Sequence, residues 1–178
     1  SELSIDMSKI ILEGSSAGAI TALLIDYGRC NELSYTSALP KDWKPAAVVA
    51  YSGAIYTKQG KLRWAQQPAP TLLFHGTVDG IVPYKSIVFG KRGMYGADAL
   101  VKRMDKNGYP YAVYRFKDLG HEVCMAGPKT VEELNLFVRH YVAGQRCLWQ
   151  DITIRDKDFP PTEKSRKTAK QLYKENQY

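Results

Sequence analysis

Short apolar runs alternate with stretches of helical periodicity along most of the chain. Four runs predict buried strands, at residues 9–13, 46–51, 71–74 and 112–116. Helical patterns begin near Ala19, Asp98 and Thr130 and end near Gly28, Gly108 and Gly144. Asp98 is a typical N-cap residue, and Thr130 has the capping-box spacing with Glu133. Because strands alternate with helices, we expect an α/β fold with a mostly parallel sheet and helices on both faces.

The composition is that of a folded domain. The chain has 178 residues, of which 44% are hydrophobic and 24% charged, enough for one domain with a real core. We expect this domain to occupy residues 1–150. Residues 151–178, rich in lysine and polar side chains, are predicted to form a basic peripheral tail.

Charge and cysteine content exclude several classes of function. The net charge of +7 is spread along the chain without a basic helix or nucleic-acid motif, so we interpret it as a solvated surface and expect no nucleic-acid partner. No stretch is long and apolar enough to span a membrane. Cys30, Cys124 and Cys147 lack metal-ligand spacing, and they permit one disulfide without requiring it.

One pentapeptide suggests chemistry. Residues 14–18 read Gly-Ser-Ser-Ala-Gly and lie between a predicted strand and a predicted helix. This G-x-S-x-G pattern proves little by itself, but the strand, sharp turn and helix around it are what a nucleophile elbow requires. The small residues would let the backbone turn sharply and expose the hydroxyl of Ser16.

Two further residues have a matching placement. Asp79 follows the strand at residues 71–74, and His121 follows the strand at residues 112–116. The carboxyl ends of parallel strands form the ligand-binding edge of such a sheet, so Ser16, Asp79 and His121 are predicted to meet there. A serine hydroxyl needs an imidazole to accept its proton and a carboxylate to orient that imidazole.

The order Ser, Asp, His along the chain is that of α/β-hydrolases. Residues 11–19, 75–83 and 120–122 resemble the C-terminal half of an α/β-hydrolase, over about residues 1–144 and about four strands. The elbow is most similar to those of bacterial carboxylesterases, lipase-like enzymes and feruloyl or acetyl esterases. A prolyl-oligopeptidase-type enzyme usually has glycine where Ala19 stands, and many carboxylesterases have an acidic residue where Ser15 stands.

The resemblance implies a mechanism. Ser16 would attack an ester carbonyl, His121 would shuttle the proton, Asp79 would orient His121, and the amide N–H of Ala17 would donate to the oxyanion. It implies no cofactor and no metal. The substrate would be a small-molecule or polysaccharide-linked ester.

The less specific interpretations concern single residues and the whole chain. Asp79 alone could be an ordinary turn residue, Glu122 is a poorer acid beside the histidine, and His75 is expected to pack at the end of its strand. His140 lies off the apolar stripe of its helix.

A prolyl-oligopeptidase-like peptidase and a non-catalytic, hydrolase-like interaction domain remain alternative functions.

The position of the elbow predicts a larger protein. The nucleophile strand of an α/β-hydrolase lies near the middle of the sheet, and an exposed edge there would invite aggregation. We therefore expect an N-terminal half of the same protein, cleaved, disordered or carried on another chain, to supply earlier strands and the second oxyanion donor. Full activity would need this half. Periplasmic or secreted localisation would follow if a signal peptide lies upstream.

Overall fold

The computed structural model describes residues 4–155, 161, 166–168, 171 and 174–175. In chain order, its strands and α-helices are β1 (Ile11–Ser15), α1 (Ala17–Cys30), β2 (Ala47–Tyr51), β3 (Ala54–Thr57), β4 (Thr71–Gly76), β5 (Ser86–Phe89), β6 (Arg92–Gly96), α2 (Ala97–Lys106), β7 (Tyr111–Phe116), α3 (Val131–Phe137) and β8 (Trp149–Ile154). Helical backbone continues beyond α3 as the wider π-helical turn Val138–Ala143.

Five parallel strands form the larger sheet, in the order β1-β2-β4-β7-β8. The predicted α/β architecture and the parallel pairing of its four predicted strands are confirmed. The strand count was too low, because β8 adds a fifth strand beside β7. Its residues are mostly exposed, so β8 lacks the continuous apolar run by which the other strands could be recognised.

The strand β8 also changes the predicted division of the chain. The expected boundary between residues 150 and 151 falls inside this strand, where Asp151 pairs in register with Val113. Asp151 to Ile154 therefore belong to the sheet and not to a peripheral tail. Most of the remaining predicted tail lies outside the described residues.

A second, antiparallel sheet has the strand order β3-β6-β5. Its three strands are not among the four that the sequence predicted, and β6 contains two glycines, Gly93 and Gly96. Gly93 is suited to this strand because a Cβ there would lie 2.5 Å from the ring of Tyr95.

The core has two layers, one on each face of the larger sheet. On one face, α1 and α2 pack against alternate strand residues such as Val48, Leu73 and Val113. On the other face, Phe137 and Tyr141 cover Phe74 and its neighbours. The strands are therefore apolar on both faces, and this two-sided burial is the reason why their sequences are continuous apolar runs.

Two predicted helix caps differ from the observed ends. The N-cap of α2 is Gly96, and Asp98 lies within the first turn, where its carboxylate binds Lys102 and Arg115. Thr130 is the N-cap of α3, but its side chain makes no capping bond to the helix. Its hydroxyl contacts Tyr51 across the core at 3.0 Å and the preceding carbonyls of Ala126 and Gly127 at 3.2 Å, so it is engaged away from the helix amides.

Candidate active site

Ser16 occupies the sharp turn between β1 and α1. Its backbone has φ 51° and ψ −116°, outside the usual regions for a residue with a side chain. The amide of Ser16 donates to the carbonyl of Tyr51, and its carbonyl accepts from Ile20 in the first turn of α1. The turn is thereby held between β2 and the helix, and the side chain is partly exposed.

The space for this turn comes mainly from Gly14. A Cβ on Gly14 would lie 2.3 Å from the carbonyl carbon and oxygen of Gly18, which shows how closely the helix approaches the strand. A Cβ on Gly18 would meet no atom within 4 Å. Of the two glycines in the pattern, only Gly14 is required by close contact.

Asp79 lies in the loop that follows β4. Both of its carboxylate oxygens are engaged: Oδ1 accepts from the amides of Ile81 and Val82, and Oδ2 faces His121 and His75. The side chain is fully buried. The loop therefore holds the carboxylate in one orientation.

His121 begins the short turn after β7, and this turn is attached to the loop that carries Asp79. The amide of Val78 donates to the carbonyl of Leu119, and the amide of Asp118 donates to the hydroxyl of Thr77. Gly76 allows the close approach, since a Cβ there would lie 2.2 Å from the carbonyl oxygen of Gly120. These contacts fix the distance between the carboxylate and the imidazole.

The structure brings the three predicted residues into one hydrogen-bonded chain. Ser16 Oγ lies 2.8 Å from His121 Nε2, and His121 Nδ1 lies 2.9 Å from Asp79 Oδ2. A carboxylate only accepts hydrogen bonds, so Nδ1 of His121 carries a proton, and in a neutral ring Nε2 would then accept from the serine hydroxyl. This arrangement has the geometry of a serine, histidine and aspartate triad.

The electrostatics favour an ionised Asp79. Burial by itself would raise the pKa of this carboxyl, but hydrogen bonds from His121, His75 and the amide of Ile81 outweigh burial. Together they hold the pKa of Asp79 well below its usual range. The carboxylate thus keeps the negative charge that would stabilise a protonated His121.

Ala17 is the first residue of α1 and is exposed beside Ser16. The first amides of a helix have no intrahelical acceptor, and they lie at its positive end. The N–H of Ala17 is therefore available to a developing negative charge next to the serine.

Comparison with protein-family models, curated proteins and solved structures finds no match.

The sequence pattern did not reveal the roles of two neighbouring residues. Ser15 precedes the turn, and its hydroxyl donates to the carbonyl of Cys124 at 2.6 Å, which ties the elbow to the turn bearing His121. His75 packs at the end of its strand as predicted, but its Nε2 also lies 3.3 Å from Asp79 Oδ2 and 3.2 Å from the carbonyl of Val82. Because a carbonyl cannot donate, Nε2 of His75 carries the proton. The separation of four residues between His75 and Asp79 across a tight loop was the available signal.

The remaining candidate residues are Glu122, His140 and the three cysteines. Glu122 is partly buried in the turn after His121, and His140 lies in the segment Val138–Ala143. The cysteines are free, with Cys30 buried, Cys124 partly buried and Cys147 exposed. Burial raises the pKa of the Cys30 thiol to about 12, so this side chain is inert as a nucleophile.

Within the described residues, no cluster of histidine, cysteine or acidic side chains could hold a metal ion. No described helix has the length and apolar character needed to cross a bilayer. A cavity of about 990 Å³ lies at the amino ends of the parallel strands, where Ile11, Ala46 and Pro70 line it, and is thus at the opposite edge of the sheet from the triad.

Proposed function

We propose that this chain carries the active site of a serine hydrolase that cleaves carboxylic esters through an acyl-enzyme intermediate. One observation carries the proposal: the unbroken chain of hydrogen bonds from Ser16 through His121 to Asp79, with separations of 2.8 and 2.9 Å. These two hydrogen bonds and the lowered pKa of Asp79 support one role for each residue. Ser16 is the nucleophile, His121 the general base and acid, and Asp79 the group that orients the imidazole.

Acylation follows from these positions. As Ser16 Oγ attacks the ester carbonyl carbon, its proton passes to Nε2 of His121, and the electron pair of the carbonyl moves to its oxygen. The amide of Ala17 donates to this oxyanion. When the tetrahedral intermediate collapses, the bond to the alcohol oxygen breaks, and that oxygen takes the proton from Nε2.

Deacylation repeats the steps with water. Water gives a proton to Nε2 as its oxygen attacks the acyl carbon, and the collapse of the second intermediate returns the proton to Ser16 Oγ. The products are the carboxylic acid and the alcohol, and the four proton transfers balance without a cofactor. Asp79 stays ionised throughout, in agreement with the lowered pKa of its carboxyl.

The α/β-hydrolase fold is part of the proposal. Its support is the parallel order β1-β2-β4-β7, with the serine, the acid and the histidine each following a different strand at its carboxyl end. The positive φ of Ser16 between a strand and a helix further supports it. Ser15, Ala17 and Gly18 around the nucleophile are exposed, so the approach to Ser16 is open enough for a small-molecule or polysaccharide-linked ester.

Labelling by a fluorophosphonate tests the proposal most directly, because it requires the activated nucleophile but no turnover. We expect the chain to be labelled and Ser16→Ala to be unlabelled. We expect Asp79→Asn to be labelled about a thousandfold more slowly or worse, since the imidazole would lose its orientation. Hydrolysis of p-nitrophenyl acetate by the same proteins measures the ester cleavage itself.

Ser15→Ala removes the adjacent hydroxyl, which ties the elbow to the turn bearing His121, and leaves Ser16 in place. It should still be labelled, but more slowly. Ser37→Ala is the matched control, because Ser37 is exposed in the connector between α1 and β2, and it should be labelled at the unmodified rate. Equal labelling and equal ester hydrolysis by the unmodified chain and Ser16→Ala, with both proteins folded, would contradict the proposal. Loss of labelling in Ser15→Ala but not in Ser16→Ala would show that the nucleophile is Ser15 and not Ser16.

A further inference from the structure

The second sheet presents one face that its own fold does not cover. Ile87 pairs with Met94, Phe89 pairs with Arg92, and Tyr56 pairs with Met94 across the antiparallel strands. Cross-strand partners point to the same side, and alternate residues of a strand share a side. Tyr56, Ile87, Phe89, Arg92 and Met94 therefore form one surface, here called the hairpin face.

The apolar side chains of this face are unusually accessible. Phe89 is 86% exposed and Ile87 is 65% exposed, while Tyr56 and Met94 are partly exposed. Val88, on the other side of the same edge strand, is 53% exposed. Contiguous apolar surface of this kind commonly marks an interaction site.

The hairpin that carries these residues is anchored to the rest of the protein. Ile55 and Tyr95 on the opposite side of the sheet are buried in the main core. The hydroxyl of Tyr95 donates to the carbonyl of Gly60, and the amide of Gly60 donates to the carbonyl of Lys91. The hairpin face is thus displayed on an ordered support.

The chain segment that carries this face is almost entirely of one charge sign. Between residues 54 and 97, the sequence contains a single acidic residue, Asp79, which is buried in the triad. The same segment contains six basic residues, all of them exposed and without an ion pair among the described residues: Lys58, Lys61, Arg63, Lys85, Lys91 and Arg92. These six residues, here called the basic fringe, attract an anionic partner.

We infer that the hairpin face, with its basic fringe, binds an anionic lipid surface. Lysine and arginine would contact the negatively charged headgroups, while Phe89 and Ile87 would enter the boundary with the acyl chains. A second copy of the chain fits less well, because the two fringes would repel. An acidic polysaccharide would match the charge but would leave the aliphatic and aromatic side chains without hydrocarbon to contact. The inference does not depend on the proposed function, since the face excludes Ser16, Asp79 and His121.

Cosedimentation with lipid vesicles tests this inference. The intact chain is incubated with vesicles of phosphatidylcholine, alone or mixed equally with phosphatidylglycerol. One variant, I87S with F89S, removes the apolar side chains, and another, K91E with R92E, reverses the adjacent charge. Leu136→Ser and Arg139→Glu are matched controls, because both residues are exposed on the helical segment that covers the other face of the main sheet.

We expect binding to the anionic vesicles, with about tenfold or greater loss in each hairpin variant. The controls should bind as the unmodified chain does, and vesicles of phosphatidylcholine alone should bind weakly. The inference is overturned if the chain does not bind the anionic vesicles, or if Arg139→Glu weakens binding as much as K91E with R92E. Unchanged binding by I87S with F89S would also overturn it. So would a chain that binds polygalacturonate but no vesicles, or one that associates with itself but binds no vesicles.

Discussion

Ser16 illustrates how a single residue depends on its immediate neighbours. A non-glycine residue at φ 51° and ψ −116° is strained by about 1–3 kcal/mol and persists only where the surroundings fix it. The surroundings here are the hydrogen bonds from Ser16 to Tyr51 and from Ile20 to Ser16, together with the close contact at Gly14. The partly exposed position of the hydroxyl is a consequence of this turn.

The two glycines of the pentapeptide give a sharp prediction. Gly14→Ala should destabilise the protein by about 1–3 kcal/mol, because the new methyl group would overlap the backbone of Gly18. Gly18→Ala should be neutral or stabilising by up to about 1 kcal/mol, because the added Cβ meets open space and alanine favours the helix. Urea denaturation of the two variants measures both effects, and equal stabilities would refute the argument.

The contacts of His75 and Ser15 show what a residue pattern leaves out. Neither residue could be assigned its partner from sequence, because each contact crosses between segments: His75 reaches the Asp79 loop, and Ser15 reaches the carbonyl of Cys124. The three triad residues could be chosen because each follows a recognisable strand. Their role in catalysis stays a prediction.

At the scale of elements, α1 is joined to the segment before β4 through Asp26. Its buried carboxylate accepts from the amide of Ala69 and lies 3.7 Å from Arg29. Burial raises the pKa of Asp26 to about 6 despite the nearby Arg29. At neutral pH the ionised carboxylate of Asp26 is therefore less favourable in the folded state than in the unfolded state, and this difference lowers the free energy of unfolding.

This ionisation predicts a dependence of stability on pH. Between about pH 4 and about pH 6 the folded state holds a proton that the unfolded state releases, so the contribution of Asp26 to stability falls as pH rises through this range. Asp26→Asn should raise the free energy of unfolding at about pH 8 by up to about 3 kcal/mol, because each tenfold change in the ionisation equilibrium is worth about 1.4 kcal/mol. The difference should vanish near pH 4.

Denaturation in urea at both pH values gives the measurement, with Asp42→Asn as an exposed control that should show no such difference. A destabilised Asn variant at about pH 8 would mean that the ion pair with Arg29 outweighs burial.

At the scale of the whole molecule, the guanidinium of Arg115 joins side chains from several elements. It binds Asp151 of β8 at 2.6 and 2.8 Å, Asp98 of α2 at 3.1 Å, and the hydroxyl of Tyr84. The paired hydrogen bonds with Asp151 raise the pKa of Arg115 above its ordinary value. Tyr84 in turn contacts the ring of His75, so these contacts extend from the edge strand to the acid of the triad.

Arg115→Met should destabilise the protein by about 1–3 kcal/mol, because the partly buried carboxylate of Asp98 and the exposed carboxylate of Asp151 would lose their shared partner. Arg115→Lys should recover little of this loss, since an ammonium group cannot bind three partners in the same planar arrangement. Lys102→Met, which removes an exposed partner of Asp98, should cost less than about 1 kcal/mol. Urea denaturation that gave equal losses for Arg115→Met and Lys102→Met would contradict this role.

The sequence by itself determined the alternation of strands and helices, because burial on both faces leaves continuous apolar runs, and it selected Ser16, Asp79 and His121 by their positions after strands. Tertiary structure alone decided the rest. The strand β8 has mostly exposed residues and is recognisable only beside β7, and β6 is a glycine-rich strand that depends on its pairing with β3 and β5. The contacts of Thr130, His75 and Arg115 join residues from separate segments, and such partners are fixed by how the layers pack and not by any local pattern.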